Sequence, residues 1–265
     1  MLRIVGNLAR NAIQKARISL PRVIQSDVKL GDIQFRRSNE TKCETPEYVS
    51  RIAVPTDYDY VVNFMCNTYF KSEPSMVNIG LANQDPSPVL IDLMYKQIKD
   101  GMTIIILNEE GCIIGAAVNA GMSPWDPAGI RDIANCVENK DLANLLRFFA
   151  KLAEAPNLWE THHTNRFFEC SCVAVDPQYR GTGIATKLIH DSWMLARDCR
   201  CRLFRIDCSS KYTAKIAQKF GWECVMSIPY SSHMECDEFV FKNIRKPHDT
   251  VDIYIDFPTR PKKSS

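Results

Sequence analysis

One junction in the second half of the chain narrows its fold more than any other feature. An apolar run from Phe167 to Val175 meets Asp176-Pro177-Gln178-Tyr179-Arg180-Gly181-Thr182-Gly183-Ile184-Ala185, and an amphipathic stretch continues to about Cys199. The first part reads as a strand and the last as a helix, so the glycines fall on a strand-to-helix turn. Two glycines let the backbone turn tightly and come close to a ligand. The first amides of the helix have no partner within it, and with the positive end of the helix dipole they form a cradle for a diphosphate. Arg180 adds a charge-assisted contact. A Rossmann fingerprint is excluded, because Gly181-x-Gly183-x-x-Thr186 ends on the wrong residue and no βαβ unit opens the chain. A P-loop is excluded for want of Gly-Lys-Ser/Thr. A plain turn would not require both glycines.

Around this junction the pattern alternates between strands and helices. Tyr48 to Val54 reads as a strand, and Asp57 to Phe70 as a helix that Lys71-Ser72-Glu73-Pro74 ends, since the residue before proline resists the α region. Val89 to Lys99 is a second helix. Met102 to Leu107 and Cys112 to Asn119 form a hairpin across Asn108-Glu109-Glu110-Gly111. Residues 121–137 read as irregular, and Asp141 to Ala155 as an amphipathic helix. Beyond the glycine turn come a strand at Leu203 to Cys208, a helix at Ser210 to Phe220, and strands at Glu223 to Ile228, Phe239 to Phe241 and Val251 to Phe257. Interleaved elements without repeats predict one mixed α/β domain over 48–257, with a linker at 27–47 and a basic tail at 258–265.

Composition sets the remaining bounds. A formal net charge of +2 gives no general reason to bind nucleic acid, and no apolar run is long enough to span a bilayer. The 11 cysteines include the pairs Cys170/Cys172 and Cys199/Cys201, with no C-x-x-C and no zinc spacing, which predicts free thiols and no metal. In a regular strand Cys170 and Cys172 would share one face. The adjacent His162 and His163 read as surface residues. Residues 1–26 contain no acid, and Arg3, Arg10 and Arg17 recur every seven residues opposite an apolar face. That pattern fits a mitochondrial matrix presequence as well as a basic extension on a cytoplasmic protein.

The string Gln178-x-Arg180-Gly181-x-Gly183 resembles the acetyl-CoA motif Q/R-x-x-G-x-G/A of the GNAT superfamily. The resemblance implies the GNAT fold, with a central mixed and splayed sheet flanked by helices. It also implies that the strand before the motif binds acetyl-CoA through exposed backbone. The implied cofactor residues are Cys172, Val173, Ala174, Val175, Gln178, Arg180, Gly181, Thr182, Gly183, Ile184, Ala185 and Tyr212. Further segments are similar to the insect-type arylalkylamine (dopamine) N-acetyltransferases. They are Thr68-Tyr-Phe-Lys-Ser-Glu73-Pro74, Gly111-Cys-Ile-Ile-Gly115 with Asn119, and Asp207-Cys-Ser209-Ser-Lys-Tyr212-Thr213-Ala with Lys219-Phe-Gly-Trp222. This likeness implies Glu73 as general base, Ser209 and Thr213 as assisting hydroxyls, and a small arylalkylamine as acceptor. A polyamine or agmatine acceptor, a longer acyl donor and a non-catalytic CoA-binding module are the alternatives. Many GNAT enzymes carry an acidic tyrosine at the position held here by Ala217.

The chemistry of the residues agrees with that role. An alkylammonium has a pKa near that of lysine, about 10, so a base must free the amine before it attacks a thioester. Trp125, Trp159 and Phe167 are candidate pocket walls, above all the rigid Pro124-Trp125-Asp126-Pro127 segment. A monomer is expected, with the amine and acetyl-CoA as its partners.

Overall fold

The computed structural model describes residues 48–259. The basic segment 1–26, the linker 27–47 and most of the tail lie outside that range. The strands are β1 (Val49–Ile52), β2 (Ile104–Leu107), β3 (Ile113–Met122), β4 (Phe167–Val175), β5 (Phe204–Cys208), β6 (Glu223–Pro229), β7 (Met234–Glu235), β8 (Glu238–Phe239) and β9 (Thr250–Asp256). The helices are α1 (Tyr58–Asn67), α2 (Tyr69–Ser72), α3 (Pro74–Ile79), α4 (Pro88–Ile98), α5 (Asp126–Cys136), α6 (Lys140–Glu154), α7 (Leu158–Thr161), α8 (Ile184–Asp198) and α9 (Lys211–Lys219).

One seven-stranded sheet runs β1-β2-β3-β4-β5-β9-β6. Only the β4–β5 pair is parallel, and α8 makes the crossover between them. Strand side chains alternate between faces, so Ile105, Ala116 and Val118 join a core with α1, α4 and α6. Ile104, Ile106 and Ala117 join the opposite core with α8 and α9. The mixed sheet between helical layers is the expected α/β architecture. No helix among the described residues is long and apolar enough to cross a membrane.

Four details differ from the sequence reading. The helix expected at 57–70 breaks at Thr68, whose hydroxyl donates to the Phe64 carbonyl at 2.6 Å, and α2 and α3 follow as separate turns. Residues 126–136 form α5, because Pro127 sits in the first turn, where its missing amide costs nothing. The strand expected at 239–241 is only the β7–β8 hairpin, turned by Cys236 and Asp237 at positive φ, while Phe241 is buried. Cys170 and Cys172 do not share a face. Cys170 packs in the α8 core and Cys172 on the opposite side.

The reason is a bulge. Val118 of β3 pairs with Cys172, but the next residue, Asn119, pairs with Cys170, which leaves Ser171 as an extra residue in β4. The bulge brings Glu169, Ser171 and Cys172 onto one side. It also marks where β4 leaves β5, since that pairing covers only Phe168, Glu169 and Cys170. From Ser171 to Val175, β4 is paired to β3 alone.

Helix α8 is seated against β3 at Gly115. A methyl group there would meet Ile184 Cγ2 at 2.8 Å and Leu188 Cδ1 at 3.1 Å. Gly115→Val is therefore expected to destabilise the domain by about 1–3 kcal/mol. Urea denaturation measures this, and an unchanged midpoint would contradict the described seating of α8.

Candidate active site

On one side of the sheet the splayed half of β4 runs into the glycine turn. Asp176 caps that turn by accepting the Gln178 amide at 2.8 Å. The Thr182 hydroxyl donates to the Tyr179 carbonyl at 2.7 Å. Gly181 and Gly183 stand at φ +83° and +91°, where a side chain is strained, and the space in front of each is open. No side chain caps α8, so the amides of its first turn face that space. Ile184 is buried beneath, which leaves only its backbone available to a ligand. Arg180 donates to the Val175 carbonyl and to Ser72 Oγ, both at 3.3 Å, and so ties the turn to the end of α2.

That end of α2 carries Glu73. Pro74 keeps Glu73 out of the helical region, at φ −65° and ψ 126°, and makes it the N-cap of α3. One carboxylate oxygen accepts the Met76 amide at 2.8 Å, and the other accepts the Ser75 hydroxyl at 3.0 Å. Ser75 Oγ lies 3.1 Å from the Tyr230 hydroxyl. The Ser209 hydroxyl neighbours both Glu73 and Tyr230 and closes the group. Glu73 is only 4% exposed. Burial pushes its carboxyl above the ordinary glutamate range, opposed by the Met76 amide and the Ser209 and Ser75 hydroxyls. The same burial raises the phenol of Tyr230.

Glu73 opens onto a cavity of about 510 Å³. Part of its wall is apolar and aromatic, with Phe70 from α2, Leu93 and Met94 from α4, Trp125 and Ile133 beside and within α5, and Phe149 from α6. Cys172 lies on the β4 side, hydrogen-bonded to Tyr69, and burial raises its thiol to about 12, so it stays protonated. A second polar group holds another part of the wall. Gln97 donates to Ser171 at 3.2 Å, and Ser171 donates to Glu169 at 3.2 Å. Arg205, fully buried, binds both oxygens of Asp207 at 2.7 Å and the carbonyls of Leu152 and Ala153.

The profile of the Acetyltransferase (GNAT) family matches residues 69–222, more than half of the chain. The chain belongs to the GNAT acetyltransferase family. That family uses acetyl-CoA as co-substrate. Among solved structures of this GNAT fold is a mosquito arylalkylamine N-acetyltransferase-like 5b, 18% identical, over 80% of this chain and 100% of that one, with a TM-score of 0.74. A Drosophila melanogaster polyamine N-acetyltransferase is 20% identical over 80% of this chain and 100% of its own, with a TM-score of 0.72. Arylalkylamine N-acetyltransferase 2 from Aedes aegypti is 22% identical over 80% and 99%, with a TM-score of 0.71. At these identities the likeness is one of fold.

Within this GNAT domain the residues singled out from sequence fall into two sets. Glu73, Ser209 and Cys172 line one cavity, and Val173 to Val175 with Gln178 to Ala185 make the splayed strand and its turn. Thr213 and Tyr212 are not among the cavity's lining residues, and Tyr212 is 64% exposed, stacked edge-on against His248. Trp125 lines the mouth at 79% exposure, whereas Trp159 and Phe167 pack on each other in a separate core. Ser210, not Ser209, caps α9. Sequence reasoning missed Tyr230, Ser75, Glu169 and Arg205. A tyrosine after Ile228-Pro229 or a glutamate within an apolar strand has no distinctive spacing, although a charged residue in such a strand is itself a signal.

Arg205 depends on its partner. Asp207→Ala would leave a buried guanidinium without its bidentate acceptor and is expected to cost about 3–5 kcal/mol. Chemical denaturation measures the loss, and a change within experimental error would show that Glu169 alone suffices to hold the charge.

Proposed function

We propose that this chain transfers the acetyl group of acetyl-CoA directly to the primary amine of a small arylalkylamine, with both substrates bound at once. The observation that carries the reading is Glu73: a buried carboxylate with raised proton affinity, at the wall of a largely apolar cavity whose lining includes the stretch of β4 that pairs on one side only. The fold relatives support a small amine as acceptor, since their names include arylalkylamine and polyamine acetyltransferases. The aromatic walls support an aryl body.

In this reading the open amides at the start of α8 hold the diphosphate of coenzyme A, and Arg180 adds a charge. The pantetheine arm extends the sheet along Ser171 to Val175, taking the place that β5 vacates. That pairing sets the thioester at the gap, where a β4 amide faces the carbonyl oxygen as negative charge develops on it. The ammonium enters through the mouth at Trp125, drawn by Glu73. Glu73 accepts its proton, directly or through Ser209, and the neutral nitrogen attacks the carbonyl. The C–S bond breaks as the C–N bond forms. A thiol of ordinary acidity, about 8.5, leaves readily as thiolate, so the hydroxyls of Ser209 and Tyr230 need only donate hydrogen bonds or relay the proton.

Base catalysis has a definite sign. Glu73 must be ionised, so kcat/KM should rise with pH through a midpoint above the ordinary glutamate range. Glu73→Gln keeps an acceptor for the Met76 amide but cannot take a proton. It is expected to lower kcat/KM by about 10²–10⁴-fold and to flatten that limb. An unaltered pH–rate profile would remove Glu73 from the role. Gly183→Trp should fill the space before α8 and weaken acetyl-CoA binding by at least about tenfold, or 1.4 kcal/mol, in calorimetry. Tight acetyl-CoA binding by the unmodified chain with no thiol release on any amine would favour a non-catalytic binding module instead.

A further inference from the structure

The wall of the cavity that carries Glu169 is built for charge, and the acetyl-transfer chemistry does not use it. Glu169 lies on β4 directly across from Arg205 on β5, only 8% exposed, and it lines the cavity together with Asp126 and Asp207. Arg205 looks like its counter-ion but is committed elsewhere. The single proton on Arg205 Nε goes to Asp207 at 2.7 Å, both Nη2 protons go to Asp207 and Leu152, and one Nη1 proton goes to Ala153. Glu169 Oε1 stands 3.5 Å from that same Nε, close enough for attraction but with no proton left for it. The one hydrogen bond to Glu169 comes from Ser171, on the other oxygen, at 3.2 Å. A carboxylate has acceptor sites for about four donors. Here one oxygen of a largely buried side chain, on the wall of an open cavity, accepts no hydrogen bond.

Charge counting gives the same answer. Asp207 and Asp126 both act on Glu169, so three carboxyl groups share the neighbourhood of a single guanidinium. Burial accordingly raises the Glu169 carboxyl, opposed by Arg205 and reinforced by Asp207 and Asp126. Lys96 also lines the cavity, but it is a solvent-exposed lysine on α4. A buried carboxylate in deficit is satisfied best by a cation that brings its own N–H donors. We infer that this wall is a second subsite of the amine pocket, in which Glu169, facing Asp126, binds an ammonium or guanidinium at the far end of the acceptor. The enzyme then selects amines that are cationic at both ends, with an apolar or aryl span between them.

This inference rests on the acetyl-transfer reading, and the test separates the two. The probes are 2-phenylethylamine, its para-hydroxy derivative and its para-aminomethyl derivative, alongside pentylamine and cadaverine. Each set shares one reacting amine and one span and differs at the far end. Thiol release should show kcat/KM higher by about tenfold or more for the aminomethyl compound and for cadaverine than for their uncharged counterparts, because the analogue leaves the buried acceptor unmet. Glu169→Gln should bring that ratio close to one. Gln97→Lys, at a half-buried position beside Ser171, should do the same by supplying a resident ammonium, and it covers the case in which the first variant does not fold. Equal rates on charged and uncharged partners, or a preference for the hydroxyl compound, would overturn the second subsite while leaving acetyl transfer intact. A ratio that survives in both folded variants would overturn the assignment to Glu169. Absence of turnover on every amine, with acetyl-CoA bound, would defeat both readings.

Discussion

Backbone hydrogen bonding between β4 and β5 stops at Cys170, and the rest of the site is arranged around that stop. A strand paired on one side only presents a row of amides and carbonyls that need partners. In a sheet edge this would be a liability; here it lies within the sheet, beside a helix whose first amides are also uncapped. The two sets of unmet groups are consecutive in sequence, joined by the turn at Gly181 and Gly183. A ligand with an amide-bearing arm and a diphosphate satisfies both together. In the proposed reading that ligand is acetyl-CoA, the co-substrate of the family.

The bulge at Ser171 links that opening to the cavity. By adding one residue to β4 opposite Val118 and Asn119, it turns Glu169, Ser171 and Cys172 toward one side, where strict alternation would have divided them. With Glu73 from the α2–α3 junction, the cavity holds two buried carboxylates in contrasting surroundings. Glu73 is held by the Met76 amide and the Ser75 hydroxyl, with Ser209 beside it, and burial raises its carboxyl. Glu169 sits in a field of like charge around a guanidinium already in use. In the proposed reading, proton transfer falls to the first environment and cation binding to the second, so that one pocket treats the two ends of an acceptor differently.

Much of the fold was legible in the chain. The strand at 167–175, the helix that follows the glycines and the hairpin around Gly111 rest on periodicity and turn chemistry, which act over a few residues. Glu73 was legible through Pro74 and through family resemblance, and its capping of α3 does not conflict with a place in the cavity. The split at Thr68 was not legible, because it depends on a side chain bonding back to its own helix. Helix α5 was hidden by Pro127 and Gly129, whose low helix propensity is overridden once Ile130, Ile133 and Ala134 pack against the core. Tyr230 was hidden because nothing near it in sequence relates it to Ser75, 155 residues away.

By itself, the sequence determined the order of the principal strands and helices, the glycine turn, and the chemical types available for acid–base work. Those are local properties, set by side-chain period, backbone freedom at glycine and proline, and hydrogen-bonding capacity. Only the tertiary structure decided which polar groups meet. It placed Ser209 beside Glu73 and Tyr230 on Ser75, kept Thr213 and Tyr212 off the cavity wall, separated Cys170 from Cys172, and left one oxygen of Glu169 without a hydrogen-bond donor. The physical reason is that a one-residue bulge and the lateral end of a strand pairing shift side chains from one face of a sheet to the other, and both are fixed by packing between segments far apart along the chain.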